Sequence, residues 1–161
     1  IGGDGVMAYY HLPETAATRR LAEAWAAHPP TASLDIPRYF AAASSRLDTL
    51  IAEQFPDIRG GITFTAAGFY GPQGRSLGRL PVAYPDLPQR LSGLRLPDGS
   101  QVLNMEMESA ALIALGSAMG HEAGTLATVL ANRQAGAFAP DPAQLVETLI
   151  DTGLAVMRAW T

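Results

Sequence analysis

The sequence contains no cysteine. Disulfides, thiolate nucleophiles and Cys-ligated metals are therefore excluded. Lysine is absent too, and all eleven cationic side chains are arginine. Any cationic site must then use guanidinium chemistry, which suits planar ligands and anions. Histidine is scarce: His11, His28 and His121 lie far apart without ligand spacing, so no zinc site is expected. The longest apolar run, around Ala110–Leu115, is far too short to span a bilayer. A secretory leader pattern is missing, and a cytoplasmic protein is the expectation. Charge of positive sign is in deficit, with a net charge of -4. That argues against a nucleic-acid surface, which would be basic.

What is present fits one ordinary domain. The chain has 161 residues, 48% of them hydrophobic and 16% charged, too apolar for disorder and long enough to bury a core. It opens on Ile-Gly-Gly-Asp-Gly, which reads as the end of an element and not as a natural amino terminus.

Periodicity divides the chain into elements. Residues 1–13 read as a strand end and loop. Leu21, Ala24 and Trp25 give helical spacing over Glu14–Ala27, ended by His28-Pro29-Pro30. Asp35-Ile36-Pro37 then looks like the start of a second helix running to about Gln54, since Asp caps well and Pro suits the first turn. Gly60–Ala67 alternates and reads as a strand. Residues 68–100, rich in Gly, Pro, Ser and Arg, read as a long loop with one short helix near Leu87–Leu91; loops of this length are usually functional or disordered. Val102–Met105 predicts a short strand, Glu106–Met119 a helix ended by Gly120, and Gly124–Ala131 a buried strand. Asp141-Pro142 opens a last helix with apolar positions Leu145, Val146, Leu149, Ile150, Leu154 and Met157. The order is that of an α/β layered domain.

Three clusters can carry chemistry. In Asn104-Met105-Glu106-Met107-Glu108-Ser109, two carboxylates meet where a strand feeds a helix, the place where α/β sheets bind ligands. One acid can reach a ligand while the other caps; acids in a first helical turn also simply favour the helix dipole. In Gly68-Phe69-Tyr70-Gly71-Pro72-Gln73-Gly74-Arg75, a Gln beside an Arg can read the edge of a flat ring, because Gln both donates and accepts while Arg only donates. Taken alone, the same segment also reads as a solvated loop. The third cluster is Asn132-Arg133-Gln134, at the end of the predicted strand.

Taken in order, FYGPQGR, then NMEMESAAL about thirty residues on, then VLANRQ resemble the carboxy-terminal part of uridine phosphorylases, members of the nucleoside phosphorylase family. The resemblance covers roughly residues 36–160, with a looser match through Asp4-Gly5. Residues 12–35 look like an insertion. The resemblance implies an α/β/α three-layer fold with a mixed central sheet, incomplete in this chain. It implies phosphorolysis of uridine or a related pyrimidine nucleoside, with phosphate as co-substrate and no organic cofactor or metal. Gln73 and Arg75 match the pair holding the uracil ring, and Phe69 matches the aromatic packed on the base. Glu108 matches the carboxylate that accepts from the ribose hydroxyls. Met107 matches the residue against the sugar, with Glu106 beside it, and Arg133 matches a second arginine near the base's far carbonyl. Arg75 and Glu108 are the candidates for catalysis. Purine-cleaving relatives and nucleosidases place an acid where this chain has Asn132-Arg133, which favours a pyrimidine. Met105, where bacterial members often have an aromatic, and Ala67-Gly68 before Phe69 depart from the uridine pattern.

The family's Gly-rich phosphate loop has no counterpart in this sequence. The expectation is therefore a partner: an amino-terminal half of the same fold, present as a second chain, within a homo-oligomer that is hexameric or otherwise dimer-based. This chain alone is expected to be inactive. A nucleoside-binding or scaffold protein without a phosphate site is the alternative, and a water-using nucleosidase a second.

Overall fold

The structure, a computed structural model, describes residues 1–160, the side chains of Val6 and Ala8 excepted. Its helices are α1 (Ala16–Ala27), α2 (Pro29–Ala32), α3 (Ser45–Gln54), α4 (Leu87–Ser92), α5 (Ser109–Ala118) and α6 (Pro142–Ala159). Its strands are β1 (Ile62–Thr65), β2 (Val102–Glu106), β3 (Ala131–Asn132) and β4 (Ala137–Phe138). Single 3-10 turns lie at Val6–Tyr9 and Gly71–Gln73.

β1 and β2 pair in parallel, with Thr63 opposite Asn104 and Thr65 opposite Glu106. Thr63 Oγ1 donates to Asn104 Oδ1 across the pair at 2.7 Å. Gly2 extends this arrangement, bridging Thr65 in parallel and Tyr39 antiparallel. The order Tyr39–Gly2–β1–β2 is thus mixed, as the sequence reading expected. β3 and β4 form a separate antiparallel hairpin.

The core lies on one face of β1. Phe64 is fully buried and stacks on Trp25 of α1, centroids 6.4 Å apart and rings 13° from parallel. Leu34, Leu91 and Leu94 close around them. A Cβ at Gly3 would sit 2.4 Å from Phe64 Cζ, so only glycine lets the backbone pass that ring. A smaller cluster joins Met7 and Tyr39 to Ala110 and Ala114 of α5.

Caps set the helix starts. Thr15 accepts from Thr18 N–H while the Thr18 side chain accepts from Thr15 N–H, a reciprocal capping box. Asp141 Oδ1 accepts from Gln144 N–H, with Pro142 in the first turn.

Four sequence expectations are corrected. The second helix begins at Ser45, not Asp35. Tyr39 instead exchanges backbone hydrogen bonds with Gly2, which holds this stretch extended, and Ser44 Oγ caps α3 at Leu47 N–H. The fifth helix begins at Ser109, not Glu106, because Glu106 belongs to the β2 ladder. Gly124–Ala131 is neither a buried strand nor, before Ala131, a strand at all: Val129 and Leu130 are exposed. Residues 125–129 have no backbone partner among the described residues and border a cavity of about 1150 Å³ beside β1 and α3. Finally, α6 does not bury its predicted stripe. It packs on α3, burying Val156 and half-burying Leu145 and Leu149, while Val146, Ile150, Leu154 and Met157 stay exposed. One short helix cannot cover so wide a stripe.

Among the described residues, no helix is long and apolar enough to cross a membrane. None of their His, Asp or Glu side chains gather in threes as a metal site would need.

Candidate active site

Parallel pairing places two chemical clusters at one edge. β1 ends at Thr65 and β2 at Glu106, directly opposite, and Ala66 N–H donates to Glu106 O at 2.9 Å. The segment 68–75 leaves the first strand and 107–109 leaves the second. Adjacent carboxyl ends of parallel strands form the crevice where α/β sheets bind ligands.

In the first cluster, Gln73 is buried at 4% exposure within the Gly71–Gln73 turn. Arg133 reaches it from sixty residues away: its Nη1 donates to Gln73 Oε1 at 3.3 Å and its Nη2 to Gln73 O at 2.8 Å. A guanidinium only donates, so the Gln73 oxygen must face Arg133, and the amide NH₂ is left to address something else. The half-buried Arg75 lays its guanidinium over the Phe69 ring, 3.9 Å from the centroid. Its Nε is buried without a hydrogen-bond partner among the described residues. An orphaned buried donor is costly and marks a place for an acceptor. Desolvation, followed by the charge of Arg75, lowers the Arg133 pKa from its ordinary value. Two guanidinium groups near one buried amide are a site for a flat, electron-rich or anionic group. Tyr70 meets Phe69 edge-on at 5.4 Å, and both rings are exposed.

In the second cluster the two acids divide their roles. Glu106 Oε2 accepts from Glu108 N–H at 2.8 Å and Ser109 N–H at 2.7 Å, while Oε1 accepts from Thr65 Oγ1. Thr65 Oγ1 in turn accepts from Ala110 N–H at 2.9 Å. The first turn of α5 is therefore capped by residues of β1 and β2 and not by its own preceding side chain. Glu108 is exposed, and its carboxylate accepts only a 3.3 Å bond from Met107 N–H among the described residues. Met107 is 42% exposed beside it. None of Arg75, Arg133, Glu106 or Glu108 is in an ion pair among the described residues.

Burial acts to raise the Glu106 pKa, but bonds from Thr65 Oγ1 and from Glu108 and Ser109 N–H outweigh it and hold the group below its ordinary 4.5. A depressed carboxyl stabilises the fold fully above its unfolded value and loses that contribution as pH falls through the folded value. Glu106→Gln should thus destabilise the chain at pH 7, by about 1–3 kcal/mol. The gap to wild type should narrow below pH 4.5. Urea denaturation at neutral and acid pH measures it; a gap independent of pH would show that the ionised cap is not what matters.

The sequence singled out every one of these residues except Thr65. Its only signal was its place at the end of an alternating run before the loop.

No protein-family model matches the chain, and no curated protein matches it. A solved structure does: the chain is similar to a nucleoside phosphorylase of Trypanosoma brucei, whose crystal structure is described as showing uridine phosphorylase activity. The likeness has a TM-score of 0.74 at 23% identity and covers 97% of this chain. This chain spans about half of that one, 53% of its length. The α/β fold is accordingly like that of the nucleoside phosphorylase it matches.

Proposed function

We propose that this chain carries the base- and ribose-binding part of a nucleoside phosphorylase acting on uridine or a related pyrimidine nucleoside. The observation that supports this most is the convergence of Phe69, Gln73, Arg75 and Arg133, with an unsatisfied guanidinium N–H at its centre. Uracil offers what that cluster lacks: carbonyl oxygens for Arg75 and the Gln73 amide, and a flat ring for Phe69.

In the reaction proposed, a phosphate oxygen attacks the anomeric carbon as the bond from that carbon to the base nitrogen breaks. The bonding pair leaves with the base and spreads onto its carbonyls. Donors already aimed there stabilise the charge as it forms. The departing base then needs no proton, and the products are the free base and ribose 1-phosphate. Glu108, whose carboxylate α5 does not consume, would accept from the ribose hydroxyls and fix the sugar for in-line attack. Met107 would lie against the sugar. Glu106 would act beside that site by holding the turn that presents Glu108.

Phosphate-binding groups belong to a companion segment in this proposal, an amino-terminal half of the fold. The open backbone of 125–129 and the cavity beside it offer a place for its strands to pair. Assembly into a dimer-based oligomer is part of the same proposal.

A thermal-shift panel on this chain tests the substrate class. A ligand at 100 times its dissociation constant adds about 2.7 kcal/mol of stability. Uridine and uracil should raise the melting temperature, and inosine should not. A shift with inosine alone would overturn the pyrimidine reading; uracil binding without turnover in the full-length protein would favour a binding protein over an enzyme.

A further inference from the structure

The loop that presents Gln73 and Arg75 rests on a second segment as well as on its own turn. Its turn closes on Tyr70 O, which accepts from Gln73 N–H at 3.0 Å and Arg75 N–H at 2.9 Å. Gly74 completes the turn in the left-handed region, at φ 72°. The backbone there is pressed against a second segment: a Cβ on Gly74 would lie 2.9 Å from Tyr84 O and 3.3 Å from Leu87 Cβ. Whatever fixes Tyr84 therefore fixes the floor under Gln73 and Arg75.

Tyr84 is fixed from the far side. Its hydroxyl accepts from Asp35 N–H at 2.9 Å. Arg90 of α4 lies over its ring at 5.5 Å, Nε on Asp86 at 2.9 Å and Nη1 on Ser33 Oγ at 3.0 Å. His28 Nε2 lies 3.2 Å from Arg90 O. Three of these contacts, from Asp35, Ser33 and His28, come from residues 28–35, directly after α1, which is anchored in the core by Trp25. Sequence reading set 12–35 apart as an insertion, and its last third is what touches α4 and Tyr84.

We propose that residues 28–35 are a brace for the base-reading loop and that Tyr84 is the positioning residue through which they act. The inference rests on the assignment of Gln73 and Arg75 to the base, but its mechanical part does not. The Tyr84 hydroxyl ties the extended stretch at Asp35 to the turn at Gly74, so that the Arg75 and Gln73 donors are held where an acceptor arrives instead of being ordered by it. Preorganised donors bind more tightly because ordering is not charged to the ligand.

Tyr84→Phe tests it, since it removes only the hydroxyl. Two readouts are needed on the 161-residue chain. The first is amide hydrogen exchange. Gln73 and Arg75 should exchange at least about fivefold faster in the variant, while Phe64 in β1 and Ile113 in α5 keep their wild-type rates. The second is uracil binding by titration calorimetry, expected to weaken about 3–10-fold, the worth of one hydrogen bond. The melting temperature should fall by no more than about 5 °C, the effect of one hydrogen bond on a chain of this size, whereas a general loss of structure would lower it further and speed exchange in β1 and α5 as well. Ser33→Ala, an exposed change that removes the Arg90 contact together with a 3.2 Å bond from Ser33 Oγ to Pro30 O, should show the same pattern more weakly and serves if Tyr84→Phe does not fold. Unchanged exchange at Gln73 and Arg75 in a folded variant would overturn the brace. Faster exchange in a chain that binds no uracil would support the brace and count against the base assignment instead.

Discussion

Under the uridine phosphorylase proposal, replacing Arg75 with alanine should cost the full-length protein about 2–4 kcal/mol of transition-state stabilisation, a fall in kcat/KM for uridine of roughly 30- to 1000-fold. The size follows from where the group sits. Its guanidinium is already placed, 3.9 Å above Phe69, and its Nε is buried with no protein acceptor. In the proposed reaction no reorganisation of Arg75 is required when charge appears on the departing base, and its removal would leave that charge without a preplaced donor. The loss should fall on kcat as well as KM, because the leaving base is a stronger acceptor than the bound nucleoside. Arg75→Lys should recover only part of it. An ammonium restores charge but not the planar fork that both stacks on Phe69 and donates in plane. Steady-state kinetics with uridine and with phosphate as the varied substrate make the measurement. Wild-type uridine kinetics in Arg75→Ala would remove Arg75 from the site.

Phe64→Ala should lower the stability of the chain by about 3–5 kcal/mol. Phe64 is fully buried at the centre of the only cluster that ties α1, α4 and β1 together among the described residues. Truncation removes the stacking partner of Trp25 and opens space against Gly3, whose backbone approaches because a ring tip is there. The gap cannot collapse easily, since neighbouring Thr65 and Thr63 are held by the β2 ladder. The effect should reach the site. β1 positions Thr65, and Thr65 bonds both Glu106 and Ala110 N–H. Chemical denaturation followed by tryptophan fluorescence gives the free energy; a loss under about 1 kcal/mol would mean that the core is held elsewhere.

Much of the candidate site could be named from the sequence because its chemistry is local. A Gln and an Arg two residues apart in a Gly-Pro loop, and two acids around a methionine at a strand end, can be read without knowing the fold. Their division of labour could not. Which of Glu106 and Glu108 caps α5 depends on Thr65, forty-one residues before Glu106, arriving opposite it on β1. The hold of Arg133 on Gln73 likewise spans sixty residues. Tyr84 carried no sequence signal, because a tyrosine in a Pro-rich loop has many uses and only Asp35 and Gly74 on either side give it one.

The sequence by itself determined the helices whose caps lie within one turn of them. Thr15 with Thr18, and Asp141 with Pro142 and Gln144, satisfy backbone groups that no distant residue needs to reach. It also determined β1, where alternation matches the two faces of a sheet. Tertiary structure decided the rest. Residues 35–43 carry a good helical start, yet the backbone of Tyr39 finds Gly2 and stays extended. Residues 124–130 carry an apolar strand pattern, yet no ladder forms along them among the described residues. A helix bonds to itself, so its signal is contained in a dozen neighbours. A strand has hydrogen-bond partners only if another segment lies beside it, and that is a property of the assembled fold.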